Sequence, residues 1–204
     1  MRRLAPILCV LALISAARAA GISTDPRQAP AGVYLIDPRH TVVLFAIPHF
    51  GLTDYYGRFE KASGTLNFVP GAPEKSVVSV AVDMTSLSVP NGELMGELSG
   101  PGVFDAAKFP TATFTSTAVE RTGPTTGRMT GELTLHGVTR PLTFDVRFNG
   151  GSPSPMGPNV HLLGFHATAT VKRSDFGLDK AAWSGLVGDA VTLTIEGLFQ
   201  KQKG

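Results

Sequence analysis

Histidine is the residue type here whose spacing most readily reveals chemistry, because clustered imidazoles hold metals. There are five, His40, His49, His136, His161 and His166. His40 and His49 lie nine positions apart and His161 and His166 five. An odd separation along one strand puts two rings on opposite faces. No pair has a His-x-His spacing and no cluster of carboxylates adjoins any of them, so neither a metal site nor a cofactor is expected. His136 beside Gly137 reads as a hairpin position. Asp37 is placed to accept a bond from the His40 ring or from nearby backbone amides. Hydrolytic signatures are missing: there is no Gly-x-Ser-x-Gly elbow, no His-Glu-x-x-His helix and no glycine-rich phosphate loop. Ser174 and Asp175 are followed by Phe176, Gly177 and Leu178, which reads as a tight turn. No catalytic residue is assigned.

The aromatic residues are more informative. Phe accounts for 12 positions against three Tyr and one Trp. A wall of Phe asks only for apolar surface, because the ring has no polar handle. Phe45 shares one strand face with Ile47 and His49, and further rings are spread over nearly every segment. Two readings stay open at this level: the rings fill a core, or they line a tunnel. Small residues such as Ala46, Ala167 and Ala169, if inward, favour a hollow. Arg39, Arg58, Lys108 and Arg173 are candidates for a polar mouth.

Elements with a period of two must position these side chains. Val78, Val80, Val82 and Met84 alternate with polar or small residues, as do Leu142, Phe144, Val146 and Phe148. The same holds for Phe165, Ala167, Ala169 and Val171, and for Val191, Leu193 and Ile195. A strand sends successive side chains to opposite faces, so each segment has one apolar and one wet side. Less regular runs near 41–48, 57–69, 112–121 and 127–136 bring the number to about eight antiparallel strands. Hairpin loops are expected at 122–124 and 136–139, a longer loop at 150–159, and a bulge or bend at Gly64. Helical turns are expected at 91–98, capped by Asn91, and at 103–108, with a second non-strand insert near 174–188. The class is all-β, and a sandwich and a closed barrel both satisfy the pattern.

Four phrases recur in register along the chain: Asp37-Pro38-Arg39-His40-Thr41 with Phe45 and His49; Phe104 to Pro110; Gly131 to Pro141; and Lys172 to Leu178. Together they resemble the YceI-like family of secreted, lipocalin-shaped bacterial proteins, from about Val33 to Phe199. The resemblance implies an eight-stranded antiparallel lipocalin-like barrel with short helical inserts. It also implies a binding protein, not an enzyme, for a long-chain amphiphilic lipid: a polyisoprenoid, an isoprenoid quinone or a fatty amide. Phe45, Ile47, His49, Phe59, Phe104, Phe114, Leu135, Phe144, Phe165, Phe176 and Trp183 are then the candidate ligand-binding residues. Burying one CH₂ is worth about 0.8 kcal/mol, so each isoprene unit offers roughly 3–4 kcal/mol before ordering costs. The alternative is a filled barrel acting through its outer surface beside a membrane redox protein, with a homodimer as the other protein partnership considered.

The first twenty residues read as a signal peptide. Arg2 and Arg3 precede an apolar run from Leu4 to Ile14, and Ser15 to Ala20 supplies small residues suited to cleavage. The run is shorter than the roughly 20 residues that a membrane span needs. Cys9 lies inside it without the small residue that lipid attachment requires. The segment 21–32 is expected to be a flexible tail, and 33–200 the barrel. The leader carries three of the 18 basic residues and none of the 16 acidic ones, so the mature chain has 15 against 16, a formal charge of −1. No basic field remains for nucleic acid. The lone cysteine leaves with the leader, which excludes disulfides and thiol chemistry. The expected location is the periplasm.

Overall fold

Alternation along the chain becomes pairing in space. The structure, a computed structural model, describes residues 21–155, 160–181 and 183–202. Its strands are β1 (Gly32–Ile36), β2 (Val42–His49), β3 (Thr53–Phe59), β4 (Ala62–Phe68), β5 (Val77–Asp83) and β6 (Leu87–Ser88). They continue as β7 (Thr111–Arg121), β8 (Thr126–Leu135), β9 (Val138–Pro153), β10 (His161–Lys172) and β11 (Ala190–Lys201). The ladder runs β1-β4-β5-β7-β8-β9-β10-β11 and closes through an antiparallel β1–β11 pairing. The barrel is therefore eight-stranded, and β2, β3 and β6 extend three of its staves.

Those three staves are long strands with local breaks. β1 and β2 lie in sequence along one edge of β11, with Ile36 opposite Phe199 and Val42 opposite Glu196. The residues between them bulge outward and are tied back, since Leu198 N–H donates to Thr41 Oγ1 at 3.1 Å and Asp37 N–H to Leu198 O at 2.8 Å. β3 and β4 are interrupted at Glu60 and Lys61, whose amides both donate to Ser86 Oγ, at 3.1 and 3.0 Å. A 3₁₀ turn over Met84–Ser86 separates β5 from β6. Each break spends a buried hydroxyl or carboxylate where a ladder bond is missing, as buried backbone groups require.

The segment 91–98 forms the helix α1 (Gly92–Ser99), and the Asn91 side chain accepts from Leu94 N–H at 2.9 Å. The stretch 103–108 makes turns instead of a helix. The 174–188 insert holds two 3₁₀ turns, Arg173–Phe176 and Ser184–Leu186. His136 and Gly137 alone make the β8–β9 turn, both at positive φ (52° and 76°), as a two-residue type I′ hairpin needs.

Three expectations are corrected. Gly64 stays in register opposite Val80; it marks a close backbone approach, because a Cβ there would collide with the Ser79 carbonyl. The loop expected from Gly150 begins later, since 150–153 pair with 161–164, and its residues 156–159 lie outside the described ones. The stretch 21–32 is not a free extended tail. Ser23 and Gly151 exchange two backbone bonds of 2.9 Å, Pro26–Gln28 forms a 3₁₀ turn, and Ala29 is buried. The expected leader lies outside the described residues.

Antiparallel registers sort the connections between two ends. The β2–β3 hairpin, α1, the turns at 99–110, the His136 turn and the 173–189 insert gather at one end. The loops at 69–76 and 122–125 and the N-terminal stretch gather at the other.

Candidate functional site

The inward faces enclose a cavity of about 900 Å³ whose lining reaches both ends of the barrel. Phe45, Ile47 and His49 present successive inward positions of β2, and Phe59 follows on β3. Phe114 of β7 and Leu135 of β8 join them. Phe144 of β9 and Phe165 of β10 complete the walls, while Phe104 and Trp183 enter from the inserts. Ten of the eleven candidate residues thus face one space. Phe176 lies outside the lining: the 3₁₀ turn at Arg173–Phe176 carries it off the strand pleat into the packed core, where it is 3% exposed. Ala167 lines the cavity, but Ala46 occupies the other face of β2, as its position between Phe45 and Ile47 demands.

The rings form packed clusters. Phe114 and Phe144 meet edge to face at 5.1 Å between centroids, Phe59 and Phe104 at 5.6 Å, and Phe148 and Phe165 are tilted at 5.3 Å. Other lining residues were not among the candidates, notably Val80, Met129, Val146, Leu193 and Ile195. The parity of their strands was signal enough to find them. Glu93, Leu94, Glu97 and Leu98 of α1 also face the cavity, and no pleat pattern points to them.

Polar lining groups are few and lie toward the two ends: Glu120, Arg121 and Arg128 at the end of the 122–125 loop, and the following at the end that holds α1. The Tyr55 hydroxyl is buried and has no partner among the described residues, while Tyr55 lines the cavity. The His49 ring contacts Phe50 at 4.1 Å and Tyr55 at 6.4 Å. The Trp183 indole N–H donates to Glu97. Arg173 donates to four backbone carbonyls, those of Gly188, Leu178, Ser184 and Val187, at 2.8–3.3 Å. Its charge holds the 173–188 insert together. Arg58 pairs with Glu60, and the Lys108 ammonium lies 5.1 Å from the centre of the Phe109 ring, so neither is part of the lining.

The histidines stay apart. His40 Nδ1 lies 2.8 Å from Asp37 Oδ2, and the Arg39 amide donates to Oδ1 at 2.9 Å. Burial pushes the Asp37 carboxyl up, but these two bonds outweigh it and hold the group below its ordinary value. His166 meets Glu196 at 2.6 Å, and the His136 ring donates to the Phe176 carbonyl at 3.1 Å. Burial, helped by Lys201, lowers the pKa of His161. Among the described residues, no three His, Cys, Asp or Glu side chains converge.

A closed antiparallel barrel around an apolar cavity is the architecture of the lipocalin-like hollow barrels. Within that class, residues 34–199 match the YceI-like domain model, and the chain belongs to that family. A UPF0312 protein of Pseudomonas syringae pv. tomato is 37% identical over 95% of this chain and 97% of its own length. A second, from Pseudomonas savastanoi pv. phaseolicola, is 39% identical over 84% of this chain and 86% of its own. Among solved structures, the Campylobacter jejuni YceI protein superposes with a TM-score of 0.65 at 28% identity, covering 72% of this chain and 85% of that one. The same fold occurs in a polyisoprenoid binding domain from Saccharophagus degradans, with a TM-score of 0.60 at 13% identity over 85% of this chain and 100% of that one.

Proposed function

We propose that this protein is an exported, periplasmic carrier that holds one long-chain amphiphilic lipid inside its barrel. The observation that carries the reading is the apolar cavity of about 900 Å³. At about 30 Å³ per water-sized group, it has room for about 30 heavy atoms, or about six isoprene units. Each unit buried offers roughly 3–4 kcal/mol before entropy, so the tail dominates affinity. A barrel filled by its own side chains has no such space. The polyisoprenoid-binding relative by fold supports the same ligand class.

The ligand is an amphiphile, not a bare hydrocarbon, because the cavity wall includes a buried hydroxyl on Tyr55 without a partner among the described residues. A buried polar group left unpaired costs about 1–3 kcal/mol, which a carbonyl or hydroxyl at the head of the lipid removes. The headgroup then rests beside Tyr55 and His49, with the tail along Phe114, Phe144 and Phe165.

The role proposed is binding, not turnover, and what supports it is the predominantly apolar lining of the cavity. The test is a titration with isoprenoid alcohols of increasing length. Affinity should rise with each unit and level off near six. An affinity independent of length would sink the proposal. Export is tested by amino-terminal sequencing of the periplasmic form, expected to begin at Ala20 or Gly21; a mature chain retaining Cys9 contradicts it.

A further inference from the structure

The structure carries a second, smaller feature that a lipid carrier needs: a way for the lipid to leave without crossing water. Among the described residues, two of the exposed large apolar side chains also line the cavity, Phe50 and Leu186. They are 55% and 52% exposed, and Leu52 beside them is 86% exposed. Phe50 N–H donates to the Leu186 carbonyl at 2.9 Å, and His49 bridges Val187, so the β2–β3 tip and the 184–186 turn form one lip. The apolar surface of the interior is thereby continuous with the outside at this end of the barrel. Charged residues line the cavity at both ends, Glu93, Glu97 and Arg173 at this one and Glu120, Arg121 and Arg128 at the other, but none of them belongs to the lip.

The lip is also built at a cost. Phe50 and Gly51 take φ values of 55° and 68°, the left-handed pair of a type I′ turn. Asn is the usual residue at the first of these positions, and a bulky ring there is strained. Neither strain nor water exposure benefits a ring that packs only against its own barrel. Residues 49–53, His-Phe-Gly-Leu-Thr, contain no Lys, Arg, Asp or Glu. Contact with an anionic surface through charge is therefore not what the tip provides.

We propose that the lip of Phe50, Leu52 and Leu186 inserts into the surface of a lipid bilayer, and that the ligand passes between bilayer and cavity across it. This rests on the lipid-carrier reading for what is passed, but not for the docking. A tail moving from bilayer to barrel across the lip exchanges one apolar surface for another at every step. Its headgroup stays near the mouth, at a depth close to the one it has in the bilayer. Binding by apolar insertion, without basic residues at the tip, should be indifferent to salt and to anionic lipid.

The experiment uses the full mature chain and phosphatidylcholine vesicles. Leu52→Asp is the test variant, because Leu52 is exposed and stands outside the cavity lining. Empty wild-type protein should float with the vesicles at low and high salt, and the variant should do so about tenfold less. Uptake of geranylgeraniol from the vesicles should slow by a similar factor in the variant, while uptake from detergent micelles is unchanged. A wild type that does not float, or a variant that floats and takes up lipid from vesicles as the wild type does, overturns the proposal. If the wild type instead forms a dimer that Leu52→Asp disrupts, and neither floats, the lip is an interface between copies and the proposal is wrong. Flotation without uptake from either source upholds the docking and rejects the carrier reading.

Discussion

The Phe45 ring occupies the space that a side chain at position 57 would need. The two residues are directly paired across β2 and β3, and a Cβ on Gly57 would fall against the ring edge and 2.8 Å from Val89 Cγ1. Phe114 stands likewise over Gly131, where a Cβ would lie 2.5 Å from its Cζ. Glycine on a neighbouring strand lets an inward ring lie back along the wall, so the cavity stays open although aromatic residues line it. Gly57→Ala should push Phe45 toward the lumen, costing about 1–3 kcal/mol in stability and moving the preferred ligand to a shorter chain. Thermal denaturation and a chain-length series measure the two effects. An unchanged length preference would mean that this ring does not border the ligand.

The two faces of the strands should respond differently to charge. Replacing Phe45 or Phe144 with Asp puts a carboxylate against the alkyl tail, where losing hydration without a partner costs several kcal/mol. The same change at Lys61 or Arg147, both exposed, leaves the group solvated. Uptake of a long-chain isoprenoid should fall at least about tenfold for the first pair, given that 1.4 kcal/mol is one such factor, and stay near wild type for the second. Circular dichroism checks that each variant remains β-structured.

The strands and their inward faces were legible because the wall segments obey the pleat over many residues. The choice of a barrel over a sandwich came instead from the resemblance carried by the four phrases. Once Phe144 is inward, Leu142, Val146 and Phe148 follow, and the structure has the last two in the lining. The same parity excludes Ala46, which shares β2 with Phe45 but not its face. What local pattern cannot show is a direction set by a turn. Phe176 follows the end of β10, and its orientation depends on the 3₁₀ turn and on Gly177 at φ 68°. The broken staves were hidden for a similar reason, since continuity from β1 to β2 exists only along the edge of β11. The seat of Ser23 on Gly151 joins positions far apart in sequence, and a composition rich in Pro and Gly gives no hint of it.

Arg173 should prove structural. It is 9% exposed, and its guanidinium donates to the Gly188, Leu178 and Val187 carbonyls, which have no other donor among the described residues. Arg173→Met leaves them buried and unpaired, and a loss of about 3 kcal/mol is expected. Hydrogen exchange should quicken first in the 174–188 insert. A variant of wild-type stability would show that water replaces the guanidinium without penalty.

The loss of stability at alkaline pH has a specific source in Tyr34, which is fully buried and donates to the Pro30 carbonyl at 2.7 Å. Burial pushes its phenol up from 10.0 to about 12. The folded state therefore holds this proton more tightly than the unfolded one. That contribution is complete below pH 10 and is lost as the pH rises toward 12. Tyr34→Phe should flatten the decline in stability over that window, as followed by denaturant titration at stepped pH. An unaltered slope would rule out Tyr34 as the cause.

The most direct test of a hollow, lipid-holding barrel is native mass spectrometry of the freshly purified mature protein. The account predicts a bound species lighter than 1 kDa, on the order of 30 heavy atoms, that is retained under gentle conditions and lost when the chain is denatured. Incubation with geranylgeraniol should replace it at a ratio of one to one. A bare polypeptide mass, both as purified and after incubation with the isoprenoid, would contradict the account.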